Sequence, residues 1–177
     1  MKIFENTPLD TKAIADLITT KGDLHLVWPQ AKYPFDHNQW KKVLDPAEGN
    51  KSFFFYADNR CIGHAALRTT DNPCVYAVSF LYLIPAERSK GLGQKIIGML
   101  EQYAHKNLSA SRLVLVARTY NPKAIECYLK SGFREESREG TLIRMSKVLW
   151  QSTTLIERKQ NRERQCLLKL SKKGCKN

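Results

Sequence analysis

The stretch "IPAERSKGLGQKIIGML", residues 84 to 100, constrains this chain more than any other. An apolar run, "YAVSFLYLI" at 76 to 84, leads into it as a strand. A helix leads out, because Leu92, Ile96, Met99, Leu100 and Tyr103 recur at spacings of three and four and form one buried stripe. The loop between them holds Arg88, Ser89, Lys90, Gly91, Leu92 and Gly93. A helix start presents unpaired N–H groups and the positive end of the dipole. Gly91 and Gly93 leave that backbone bare, and Arg88, Lys90 and Lys95 add positive charge, which suits a pyrophosphate. A tight turn with solvated charges accounts for the same residues equally well. Two familiar phosphate loops do not fit: GxxxxGK followed by Ser or Thr is absent, and so are the third glycine and downstream acid of the dinucleotide fingerprint.

The flanking sequence supplies the rest of an α/β pattern. A helix is expected from Thr11 to about Thr20, with Ala13, Ile14, Leu17 and Ile18 on one face. Residues 22 to 50 are less regular and rich in aromatics, among them Trp28, Tyr33, Phe35 and Trp40. "KSFFFYAD" and "CIGHAALR" read as strands joined by a turn at Asn59 and Arg60, and a third strand covers about 74 to 84 before Pro85 stops it. "RLVLVAR" at 112 to 118 is a buried strand. In "NPKAIECYLKSGF", Asn121 can cap a helix, Pro122 takes its first position and Gly132 ends it. "FREESREGTLIRMSKVL" reads as a hairpin turning near Glu139 and Gly140. Together these elements predict a three-layer α/β domain with a mixed sheet over residues 1–149.

Charge and cysteine content narrow the function classes. Of the net charge of +12, half comes from residues 150–177, where eight Lys or Arg stand against two Glu. Nucleic acid is therefore expected as a partner only through that basic extension, which reads as a short helix or a partly disordered tail. Five cysteines without a CxxC pair and four histidines without ligand spacing predict reduced thiols and no metal. No apolar run is long enough to span a bilayer, and "MKIFENTPLD" lacks a signal-peptide core. A cytoplasmic protein with no membrane contact, monomeric or homodimeric, is expected.

Two motifs in order, "FLYLIPAERSKGLGQKII" and "ARTYNPKAIECYLKSGF", resemble the GNAT superfamily of acyl-CoA-dependent N-acetyltransferases. Arg88, Gly91 and Gly93 match the loop pattern (Gln or Arg)-x-x-Gly-x-(Gly or Ala). Asn121, Ala124 and Tyr128, followed by Gly132 and Phe133, match the second motif. The resemblance implies a mostly antiparallel mixed sheet of about six to seven strands, splayed between its two parallel central strands and flanked by helices. It implies acetyl-CoA as cofactor and transfer to a primary amine of a small molecule, peptide or protein by direct attack. The pyrophosphate would lie on the backbone from Ser89 through Lys90, Gly91, Leu92 and Gly93 to Gln94, with Arg88 beside it. The pantetheine would lie in the splay near Leu81 and Leu83. By the same resemblance the Leu83 N–H would polarise the thioester carbonyl, as an oxyanion donor does. Asn121 would hold the pantetheine or cap its helix, and Tyr128 would protonate the departing thiolate. Read without the family pattern, Tyr128 is a core aromatic at helical spacing, and Cys127 beside it is a small buried residue.

The base that accepts the amine proton is not evident. Positions where family members carry Glu are Ala77 and Val116 here, which leaves a water chain, Tyr82 or His64, and a lone strand histidine is more often structural. The acceptor is expected near "LVWPQAKYPFDHNQW", where the aromatics wall a pocket with Asp36 or His37 at its rim, unless Asp36 simply caps a helix starting near His37. Two further readings stand beside the amine acetyltransferase. One is an acetyltransferase acting on an RNA-associated target, a ribosomal protein or charged tRNA. The other is a non-catalytic acyl-CoA-binding or nucleic-acid-binding module on the same scaffold.

Overall fold

The computed structural model describes residues 1–149. The expectations for 150–177 lie outside them. Seven strands form one sheet: β1 (Lys2–Glu5), β2 (Lys51–Ala57), β3 (Arg60–Thr69), β4 (Val75–Leu83), β5 (Arg112–Arg118), β6 (Arg134–Glu139) and β7 (Leu142–Val148). Their order is β1-β2-β3-β4-β5-β7-β6, and every pair is antiparallel except β4 and β5. This is the mixed, mostly antiparallel sheet the sequence predicts. The parallel pair is short, running from Val75 opposite Arg112 to Ala77 opposite Val114. Beyond that point β4 continues to Leu83 and β5 to Arg118 without pairing with each other, so the sheet opens into a splay.

Five α-helices flank the sheet. On one side lie α1 (Thr11–Leu17), α2 (Lys21–Val27) and α3 (His37–Val43). The helix expected from Thr11 to about Thr20 ends at Leu17, and a second one starts at Lys21. Ile18 caps the first through its N–H to the Ile14 carbonyl, and Thr20 then caps the second by accepting from the Asp23 N–H. That break is a short-range competition between a helix continuing and a Thr N-cap winning. The stretch expected to be irregular holds α2, α3 and a 3₁₀ turn at Pro46–Glu48, and strand β1 went unread because four residues are too few to show a period. On the other side lie α4 (Leu92–Leu108) and α5 (Pro122–Lys130).

The two faces bury separate cores. Under α4 pack Phe53, Phe55, Ile62, Ala65, Leu67, Ile96, Ile97, Leu100, Leu113 and Phe133. Under α1–α3 pack Ile14, Leu24, Trp40, Phe54, Ala66, Phe80 and Tyr82. The aromatics expected to wall a pocket mostly fill this second core. Trp40 is fully buried, with ring centroids 5.4 Å from Trp28, 5.1 Å from Phe35 and 5.0 Å from Phe80. Tyr33 alone of the four is exposed. β6, "REESRE", is exposed along its whole length, and its charges blunt a sheet edge that would otherwise invite pairing.

Candidate active site

The loop from β4 to α4 begins with a 3₁₀ turn at Pro85–Glu87, whose proline sits where no ladder N–H is needed. Two residues then take left-handed backbone, Ser89 at φ 61° and Gly91 at φ 73°. Gly91 stands at the N-cap of α4 and offers no side chain to it. The other four helices are capped by their own side chains, from Asp10, Thr20, Asp36 and Asn121. The longest helix thus leaves its first N–H groups open toward the loop. A Cβ on Gly91 would meet no atom within 4 Å, so its glycine answers to backbone conformation beside open space. Gly93 answers to packing instead: a Cβ there would lie 2.9 Å from Cys127 Sγ, so it lets α5 approach α4.

The charges of the loop are placed differently from the sequence expectation. Arg88 turns from the α4 terminus. Its Nε donates to the Leu83 carbonyl at 2.8 Å, its Nη2 pairs with Asp23 Oδ1 at 2.7 Å, and its guanidinium carbon lies 5.3 Å from the Tyr82 ring centroid. Lys90 pairs with Glu87 at 3.1 Å. These two side chains tie the loop to its neighbours, and neither caps the start of α4.

The splay edge of β4 is shaped by a bulge. His64 faces Tyr82 and Ala66 faces Ser79, so Phe80 and Leu81 together oppose Ala65, and Phe80 takes φ 54°. Ile84 N–H bonds back to the Ile62 carbonyl at 3.0 Å. By strand alternation the preceding Leu83 N–H points the other way, toward the side from which β5 has separated. Beneath the bulge His64 is fully buried. Its Nδ1 lies 3.2 Å from the Phe80 carbonyl, which can only accept, so Nδ1 carries the proton. Nε2 then accepts from the Ser52 hydroxyl at 2.9 Å, and Asn6 donates to that hydroxyl in turn at 3.2 Å. Burial pushes the His64 pKa down to about 4. With both nitrogens used, His64 is a structural residue of the bulge and not the amine's base.

Asn121 caps α5 by accepting from the Ala124 N–H at 3.2 Å. Seven residues on, Tyr128 is half-buried against Phe133, with ring centroids 6.1 Å apart, and its hydroxyl has no hydrogen-bond partner among the described residues. Burial, with a smaller contribution from Cys127, pushes its pKa up to about 12, so it is a protonated donor at neutral pH. Burial also raises the Cys127 thiol, which makes it a packing residue for Gly93.

Tyr82 donates to Asp23 Oδ2 at 3.1 Å, and burial and that carboxylate push its pKa up to about 12. Asp23 joins α2 to both Tyr82 and Arg88, a junction the sequence reading missed. Its local signal, Thr20-x-x-Asp23, is that of a capping pair, and nothing in it announces partners 59 and 65 positions away. Asp36 caps α3 by accepting from the Asn38 and Gln39 N–H groups, and His37 Nδ1 lies 3.1 Å from the Thr11 hydroxyl. Ala77 and Val116 supply no carboxylate. Among the described residues no group of His, Cys, Asp and Glu is arranged to hold a metal ion, and no helix is long and apolar enough to cross a membrane.

A model of the acetyltransferase (GNAT) family matches residues 15–133. Solved structures share the fold at low identity. Spermidine N-acetyltransferase from Vibrio cholerae, in complex with CoA and spermine, aligns at 18% identity and TM-score 0.68, covering 84% of this chain and 95% of its own. The Campylobacter jejuni N-acetyltransferase PseH, in complex with acetyl coenzyme A, aligns at 21% identity and TM-score 0.63, covering 84% and 99%. Aminoglycoside acetyltransferase AAC(6')-Ib, in complex with coenzyme A and kanamycin, aligns at 18% identity and TM-score 0.69, covering 83% and 94%.

Proposed function

The chain belongs to the acetyltransferase (GNAT) family, and on that premise we propose roles for its own residues in acetyl transfer from acetyl-CoA to a primary amine. Acetyl-CoA supplies the acetyl group as a thioester. The open start of α4 and the left-handed Gly91 favour the backbone from Ser89 to Gln94 as the pyrophosphate site, because they offer bare N–H groups and room beside them. The splay edge of β4 at Leu81 and Leu83 holds the pantetheine arm, and the Leu83 N–H polarises the thioester carbonyl. One such donor is worth about 3 kcal/mol of transition-state stabilisation. Asn121 fixes the start of α5, and Tyr128 on that helix protonates the departing thiolate.

The observation that carries this reading is the Tyr128 phenol. It is protonated at neutral pH, lies on the helix that Gly93 brings against α4, and its hydroxyl is uncommitted among the described residues. Of the proton acceptors considered, Tyr82 and water remain, and the Tyr82 proton is already committed to Asp23, which pairs with Arg88, so water is the acceptor the geometry favours. Residues 1–149 form the catalytic unit, and 150–177 an extension to it. Replacing Tyr128 by Phe tests the assignment. Turnover, followed as CoA release with a panel of primary amines, is expected to fall about a hundredfold or more. The rise in thermal midpoint on adding acetyl-CoA is expected to persist. Undiminished turnover in the Phe variant would remove Tyr128 from the mechanism.

A further inference from the structure

Two buried side-chain N–H groups have no hydrogen-bond partner among the described residues, Trp40 Nε1 and Arg68 Nε. Both belong to side chains packed on the Phe80 ring at the β4 bulge. The Trp40 ring centroid is 5.0 Å from it and the Arg68 guanidinium carbon 5.7 Å. Nor does Arg68 enter any ion pair found among the described residues. A half-buried guanidinium with neither carboxylate nor carbonyl is costly unless a ligand completes it.

Its place in the sheet says where that ligand lies. Arg68 is opposite Ala77, Ala77 opposite Val114, Val114 opposite Ser146 and Ser146 opposite Arg134. One row across the sheet therefore begins and ends in arginine, with no side chain larger than valine between. In the next row Val116 is opposite Arg144. On β5 the residues Leu113, Leu115 and Ala117 are buried toward α4, while Val116 on the opposite face is 50% exposed. The core under α1–α3 includes residues of β2, β3 and β4 but none of β5 or β7, so no described residue of that core covers this half of the face. Arg134 and Arg144 have no carboxylate partner among the described residues, and Arg112 shares Glu136 with Ser146.

We propose that this half-face binds the acceptor, and that the acceptor carries an anionic group, carboxylate or phosphate, held by Arg68 and Arg144 at a distance from its amine. The inference rests on the proposed acetyl transfer at the splay. A strand rise of about 3.3 Å per residue puts Ala77 about 13 Å along β4 from Leu81, and because the Arg68 guanidinium reaches forward to the Phe80 ring, amine and anion are separated by less than that span. A polyamine or an aminoglycoside would bring ammonium groups against these arginines, which disfavours both as acceptors here.

Matched probes that differ only in the charge of the far end test this. One set is the peptide amides Gly-Gly-Gln-Gln, Gly-Gly-Glu-Glu and Gly-Gly-Arg-Arg, and the other is 6-aminohexanol with 6-aminohexyl phosphate. CoA release at one ionic strength gives kcat/KM for each. In at least one set the anionic member is expected to exceed its neutral counterpart tenfold or more, and the set that responds tells carboxylate from phosphate. Arg68→Met and Arg144→Met, each alone, are expected to bring that ratio toward one, while Arg68→Lys keeps part of it because the charge remains. All variants are expected to keep the thermal shift with acetyl-CoA, which reports a folded cofactor site. Preference for the arginine peptide, no discrimination by charge, no turnover of any probe despite that shift, or a ratio indifferent to both Met variants would each overturn the proposal. Absence of the acetyl-CoA shift in the wild type would instead overturn the cofactor-site reading beneath it.

Discussion

On the α4–α5 side of the sheet the proposed site is made mostly of backbone, whereas on the α1–α3 side it is made of side chains meeting over long sequence distances. The first side needs a left-handed Gly91, an uncapped helix start, an Asn121 cap and a Gly93 small enough to admit Cys127. Each is a local demand of the chain. The second side depends on Asp23 reaching Tyr82 and Arg88, on Ser52 reaching His64, and on Arg68 lying over Phe80. A site built from backbone can bind the same cofactor fragment in many sequences. One built from distant side chains can change its acceptor without disturbing that fragment. The two sides meet at Leu83, whose carbonyl accepts from Arg88 and whose amide faces the splay.

The most complete expected effect, loss of all stabilisation by the cofactor, breaks the first side outright. Gly91→Glu puts a side chain at a left-handed position and a negative charge in the space before α4. At a cofactor concentration a hundred times its dissociation constant, the wild type gains about 2.7 kcal/mol from binding, and the variant is expected to gain none. Thermal midpoints with and without acetyl-CoA read this directly. A shift that survives in Gly91→Glu would show that the loop is only a turn.

The next effect belongs to the second side and is read by pH. His64 has a folded pKa of about 4 against an ordinary 6.5, lowered chiefly by burial. Between those values the unfolded chain takes up a proton that the folded one refuses. Its contribution is therefore complete above pH 6.5 and is lost as pH falls toward 4, by about 3 kcal/mol. Urea midpoints at several pH values are expected to show this decline in the wild type, and a decline smaller by one proton's worth in His64→Gln. Parallel pH profiles for the two proteins would mean that His64 is not held neutral beneath the bulge.

A smaller effect sharpens the contact between α4 and α5. Gly93→Ala is expected to cost about 1–3 kcal/mol by crowding Cys127. Combining it with Cys127→Ala is expected to recover part of that loss, since the two changes act on one contact. Chemical unfolding of the two single variants and the double variant gives the coupling. Strict additivity would mean that the helices adjust independently of this pair.

The sequence alone determined most of the elements and marked the residues proposed to hold the cofactor. Apolar periodicity marked β2 to β5 and α4, Asn121, Pro122 and Gly132 bounded α5, and the loop pattern with its second motif pointed to the family. These signals are legible because period, capping and left-handed turns act within a few residues of one another. Tertiary structure decided what those signals do not contain. It turned Arg88 to Asp23, committed His64 to Phe80 and Ser52, gathered Trp28, Phe35 and Trp40 into a core, and left Arg68 Nε without a partner among the described residues. The outcomes at His64 and Arg68 depend on which strand lies beside which and on a bulge at Phe80 that re-aims the residues after it. The physical reason is that a side chain's partner across a sheet is set by register and packing, and neither is written in the residues next to it in the chain.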